Sequence, residues 1–128
     1  MTDDRLARGE RVRREVLGDA HVDAAQARTT AFTGPFQDFL TGMAWADVWD
    51  RPGLDRRTRS AITLALLTAL RAEHEIPMHV RAALRHGLTR EEIAEVLLHA
   101  AVYGGLPAAN AAFRLADETL REDESGER

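Results

Sequence analysis

The chain contains no cysteine and no lysine. The missing cysteine excludes disulfides, thiolate nucleophiles, thiol redox cycling, cysteine–zinc sites and iron–sulfur clusters. The missing lysine makes all 17 basic residues arginine. Schiff-base chemistry through a lysine amine is therefore impossible, and so is the usual anchor for pyridoxal phosphate. No apolar run reaches the roughly 18 residues needed to span a bilayer. The start, "MTDDRLARGERVRR", has no apolar core of a secretory signal, so a cytoplasmic location is expected. The net charge of −4 at pH 7 offers no electrostatic footprint for nucleic acid. What remains is ordinary: 30% charged and 45% hydrophobic residues in a chain of 128, long enough to bury a core without staples.

Strand-like alternation is also missing, and most of the chain follows the 3.6-residue helical period. A first helix is predicted over Arg5 to Leu17, stopping at Gly18-Asp19, and a weaker one over Val22 to Phe32. "TGPFQDFL" supplies a start signal, with Thr33 as cap and Pro35 in the first turn, for a third helix running to Trp49. "DRPGLD" is a turn. The strongest helix follows, capped by Asp55, with Ile62, Ala65, Leu66, Ala69 and Leu70 on one side and Leu64 and Leu67 widening the stripe. A further helix ends at Gly87. The next opens with a capping box from Thr89 to Glu92, buries Ile93, Val96, Leu97 and Ala100, and stops at Gly104-Gly105. The last runs from Pro107 to Arg121. The expectation is an all-α bundle of six to seven helices in a single domain, 1–122, with a disordered acidic tail, 123–128.

The segment "HEIPMHVRAALRHG", His74 to Gly87, concentrates three histidines, a carboxylate and a proline. Proline is tolerated in a first helical turn and costs about 3 kcal/mol in the interior, so the helix should begin near His74 or Glu75. Ile76, Val80, Ala83 and Leu84 then form the core stripe. His79 lies about 60° from Ile76 on the side away from Leu84, with His86 at about 80° and Glu75 at about 100° on that same border. Glu75 and His79 are an i, i+4 pair and can touch. Three readings stand beside one another: a polar helix edge, a metal site, or an acid–base pair at a pocket mouth. His86 is about 10 Å along the axis from His79, too far to share an ion, which leaves the metal reading short of ligands.

Several motifs in order carry a resemblance. "MHVRAALRHGLTREEIAEVLLHAAVYGGLPAANAAF", preceded by "VRREVLGDAHVD", "FQDFL", "WADVWDRPGLDRRTRSAIT" and E-x-E-x-x-x-H, resembles the carboxymuconolactone decarboxylase family over about Arg8 to Glu122. The family's thiol-dependent peroxidase branch has a Glu, then Cys-x-x-Cys, then a His. Aligned on His79, the cysteine positions fall on Ala72 and Glu75 and the Glu position on Ser60. Three of the four groups of that relay are absent, so thiol peroxidase chemistry is excluded and the decarboxylase branch remains.

The resemblance implies an alkyl-hydroperoxidase-D-like helical fold and a homo-oligomer, commonly a hexamer. It implies loss of CO2 from γ-carboxymuconolactone to give the β-ketoadipate enol-lactone in protocatechuate degradation, with no cofactor and no metal. Alternatives are a lyase acting on another carboxy-lactone and a non-catalytic ligand-binding member of the same fold. The substrate's conjugated carbonyl can take up the electron pair that CO2 leaves behind. The protein need only hold the carboxylates, desolvate the leaving one and protonate the dienolate. On this reading His79 is the proton donor and Glu75 orients it. Arginine forks suit the substrate carboxylates; Arg57 and Arg59 are the candidates, with Arg51 in the preceding turn. Ser60 should face the same pocket, and Tyr103 and Asn110, flanking the "GGLPAA" bend, can donate to a lactone carbonyl. Trp45 and Trp49 read as core or subunit contact.

Overall fold

The computed structural model describes residues 2–126, and the chain divides into two units, 1–55 and 56–128. Among the described residues every regular element is helical, as the 3.6-residue period implies.

In the first unit α1 (Thr2–Leu17), α2 (Asp19–Ala27) and α3 (Gly34–Leu40) lead directly into a π-helical segment, Thr41–Trp49. Gly18 breaks α1 from α2 at φ 92°, the backbone region that glycine enters without steric cost. α2 ends five residues before Phe32, where the sequence pattern placed its end. The threonines that follow explain it. Thr29 donates its hydroxyl to the Ala25 carbonyl, and the Thr30 amide donates to the Thr33 hydroxyl; such side chains offer the backbone an alternative to helix. Thr33 is thereby turned away from α3 and does not cap it.

The third predicted helix continues to Trp49, but its second half is π rather than α. At the changeover the Thr41 hydroxyl donates to the Gln37 carbonyl at 2.7 Å, an acceptor that also receives the Thr41 amide. The π segment packs on α1 through Val12, Val16, Trp45 and Ala46, all buried. Contact is closest at Gly9, where an added Cβ would lie 2.2 Å from the Thr41 carbonyl oxygen. Arg5 grips Asp47 with two hydrogen bonds of 3.0 and 2.6 Å, and Arg8 pairs with Asp50 at 3.2 Å.

The second unit holds α4 (Arg56–Ala69), a 3₁₀ turn (Glu73–Glu75), α5 (Ile76–Arg85), α6 (Arg90–Gly104) and α7 (Leu106–Ser125). Its core joins Leu64, Ile76, Val80, Ala83, Leu88, Ile93, Leu97, Ala112, Ala116 and Leu120. Each large aliphatic side chain among them contributes roughly 1.5–3 kcal/mol by leaving water. α5 and α6 bury the stripes read from the sequence, apart from Leu84 and Val96, which are only partly buried. α7 runs four residues beyond Arg121, into the stretch expected to be an unstructured tail; residues 127 and 128 lie outside the described residues.

α4 departs from expectation in orientation. Its buried line is Ser60, Leu64 and Thr68, at i, i+4 and i+8. Ile62, Leu66 and Leu70, expected to face inward, are 43%, 54% and 75% exposed. The helix is apolar on most sides, so periodicity alone does not choose its inner face. Tight packing does: an added Cβ on Gly104 of α6 would lie 2.9 Å from both the Cα and the Cβ of Ala69, so α4 and α6 approach through small residues.

Candidate active site

α5 begins where proline permits. The chain leaves α4, makes one 3₁₀ turn through Glu73–Glu75 and enters α5 with Pro77 in its first turn, so no hydrogen bond is lost to the missing N–H. One turn further in, His79 is buried at 8% exposure, on a helix that packs against α4. On α4, Ser60 is 1% exposed. Its hydroxyl has no hydrogen-bond partner among the described residues. The other buried hydroxyls behave differently. Thr68 and Thr119 each donate to the carbonyl four residues back at 2.8 Å. A buried hydroxyl without a partner costs free energy and is the kind of group that a ligand can satisfy.

Glu75 is exposed and stands at the N-cap of α5, outside the α-helix proper. Among the described residues no hydrogen bond or ion pair joins it to His79. Glu75 closes the 3₁₀ turn and α5 runs on from Ile76.

The arginines expected to bind carboxylates are placed unequally. Arg57 makes a short ion pair with Glu92. Glu92 is also the closing member of the capping box, accepting from the Thr89 amide at 2.9 Å while the Thr89 hydroxyl accepts from the Glu92 amide at 3.0 Å. These contacts, first the Thr89 backbone bond and then Arg57, hold the Glu92 carboxyl below its ordinary value of 4.5. Arg57 is thus committed to the start of α6. Arg59 is partly buried one residue before Ser60, and Arg51 is exposed.

Tyr103 is 81% exposed, its ring tilted against His99 at 5.4 Å. Asn110 is the polar side chain of a groove of about 600 Å³ lined by Leu98, Ala101, Leu106, Pro107, Ala109 and Phe113. Both residues are exposed, whereas His79 and Ser60 are each buried. His86 caps the other end of α5. Among the described residues no three His, Asp or Glu side chains converge as ligands for a metal ion, and no helix is long and apolar enough to cross a membrane. Trp45 and Trp49 lie in the π segment of the first unit, with ring centroids 5.2 Å apart.

One residue in the connection between α4 and α5 escapes sequence reasoning. Arg71 has φ 60°, and among the described residues no other non-glycine has a positive φ. The sequence gives no warning of it, because a left-handed helix end is ordinarily marked by glycine or asparagine.

The sequence model described as the carboxymuconolactone decarboxylase family matches residues 34–118. The 4-carboxymuconolactone decarboxylase of Acinetobacter baylyi is 45% identical over 118 residues, covering 92% of this chain and 88% of that protein. The nitrosuccinic acid decarboxylase npaB of Metarhizium robertsii is 43% identical over 114 residues, covering 89% of this chain and 80% of that protein. With a family match across most of the helical chain and two decarboxylases aligned over nearly all of it, the chain belongs to the carboxymuconolactone decarboxylase family.

Proposed function

We propose that this protein is a carboxy-lyase that converts γ-carboxymuconolactone to the β-ketoadipate enol-lactone and CO2. The observation that carries the reading is the 45% identity over 92% of the chain to an enzyme named for that reaction. The buried His79 and Ser60 on packed helices supply the groups the chemistry needs, without lysine or cysteine. The bond to the leaving carboxylate breaks, and its electron pair runs through the ring double bond to the lactone oxygen, giving a dienolate. His79 delivers a proton to the carbon beside the carbonyl, forming the enol-lactone. The Ser60 hydroxyl donates to the developing enolate oxygen in a site sheltered from water. Glu75, on the exposed side of the helix start, sets the charge of His79 once substrate orders it. On this reading Arg59, one residue before Ser60, meets a substrate carboxylate, and Arg57 works indirectly through Glu92. No metal or organic cofactor takes part.

The two units act as one domain, in keeping with a family match that runs from 34 to 118 across their boundary. Ile62, Leu66, Leu70, Val102 and Leu106 are large apolar side chains left in solvent, and such a surface suits burial against further copies. We take the assembly to be a homo-oligomer, a hexamer by family resemblance, working in the cytoplasm. Tyr103 and Asn110, beside this surface, contribute to substrate only through that assembly.

A second reading follows from the nitrosuccinic acid decarboxylase at 43% identity. Nitrosuccinic acid also loses a carboxylate from a carbon whose electron pair an adjacent acceptor takes up, here the nitro group. Comparing kcat/KM for the two acids separates the readings. The lactone is expected to exceed nitrosuccinic acid by at least tenfold. The reverse order would move this chain to the nitro acid.

A further inference from the structure

α4 and α5 end in the same way with different residues. At the end of α5 the Leu88 amide donates to the Ala83 carbonyl at 3.0 Å and the Gly87 amide to the Leu84 carbonyl at 3.1 Å, with Gly87 at φ 92°. At the end of α4 the Ala72 amide donates to the Leu67 carbonyl at 2.9 Å and the Arg71 amide to the Thr68 carbonyl at 3.2 Å, with Arg71 at φ 60°. Both are Schellman closures, and their left-handed residue is ordinarily glycine because a Cβ is strained there. α5 uses glycine and α4 uses arginine.

Strained non-glycine residues cluster where a side chain is needed for function. The Arg71 side chain is held in a definite way. Its Nε donates to Glu73 Oε2 at 2.5 Å. The side chain is still 52% exposed, and the two terminal nitrogens of its fork have no partner among the described residues. Held at one edge by a carboxylate, the guanidinium keeps a planar pair of N–H groups for a second one. Arg71 lies in the connection that carries the chain from α4 to Glu75 and His79.

We infer that Arg71 binds the carboxylate that the substrate retains through the reaction, with Glu73 as the residue that positions its guanidinium. This deepens the decarboxylase reading and rests on it.

Arg71→Gly tests the inference because it should separate stability from binding. Glycine relieves the left-handed strain, so the variant should melt no lower than the wild type. Loss of a charge-assisted fork should raise KM for γ-carboxymuconolactone about 10–100-fold, with kcat changed less than threefold. Arg71→Lys should recover part of the loss. A folded Arg71→Gly protein with KM within twofold of the wild type overturns the assignment. If the wild type itself fails to release CO2, the decarboxylase reading falls, and calorimetric titration with glutarate then decides the role of Arg71. Tenfold or greater weakening in Arg71→Gly supports the carboxylate role. Equal binding, or no binding by the wild type, overturns it.

Discussion

Ser60→Ala should make the protein more stable and less active. The hydroxyl lies on the buried face of α4 at 1% exposure, with no hydrogen-bond partner among the described residues. Burying a hydroxyl unpaired costs about 1–3 kcal/mol in protein mutational series. Alanine removes that cost and gains up to about 0.5 kcal/mol of helix propensity. Against this stands the small void left by one oxygen, on the order of 0.3 kcal/mol at the usual cost per unit of cavity volume. The balance is a stabilisation of roughly 1–3 kcal/mol. For a chain of this size that raises Tm by about 3–15 °C. Urea unfolding followed by circular dichroism, at fixed protein concentration so that assembly does not shift the midpoint, measures it. The same variant should lose activity, because the donor to the enolate oxygen is gone; about 10²- to 10³-fold in kcat is the scale for one such donor. A variant destabilised by more than about 1 kcal/mol would refute the reasoning: the hydroxyl would then have a structural partner, and its burial would say nothing about substrate.

His79→Ala should lower kcat by about 10²–10⁴ while helicity and oligomer size stay unchanged; activity within a few-fold of wild type would place the acid elsewhere. Gly9→Ala should lower stability by roughly 1–3 kcal/mol, since its Cβ would lie 2.2 Å from the Thr41 carbonyl oxygen and backbone must move to admit it; an unchanged urea midpoint would show that α1 and the π segment separate freely. The Glu92 carboxyl is depressed from 4.5 in the folded protein by the Thr89 backbone bond and then by Arg57. Its contribution is therefore present above that value and lost as pH falls through the lower folded value. Hydrogen exchange at the first turn of α6 should accelerate over that acid window, and Glu92→Gln should abolish the change.

The sequence made the helices legible wherever a local signal is unambiguous. Gly18, Gly87 and the Thr89–Glu92 box mark boundaries that the structure keeps, because each acts through its own backbone or its neighbours'. Pro77 located the start of α5 for the same reason. The orientation of α4 was not legible. Its outward line of Ile62, Leu66 and Leu70 is more apolar than the inward Ser60, Leu64 and Thr68, and only packing against α6 at Ala69 and Gly104 decides between them. The π segment was equally hidden, since it depends on how Thr41 and Gly9 meet rather than on composition. At the candidate site, burial of His79 follows from its place beside the Ile76–Val80 stripe. The 3₁₀ turn at Glu73–Glu75 that leads into α5 is not contained in spacing rules. Arg71 breaks the local rule for a helix end, and such a break shows only in the backbone.

The most direct test of the central claim is the incubation of purified, chelator-treated protein with γ-carboxymuconolactone in buffer free of added metal and cofactor. The reading requires CO2 and β-ketoadipate enol-lactone to appear in equal amounts at a rate proportional to enzyme. No CO2 above the uncatalysed background from folded, oligomeric protein at micromolar concentration would contradict it.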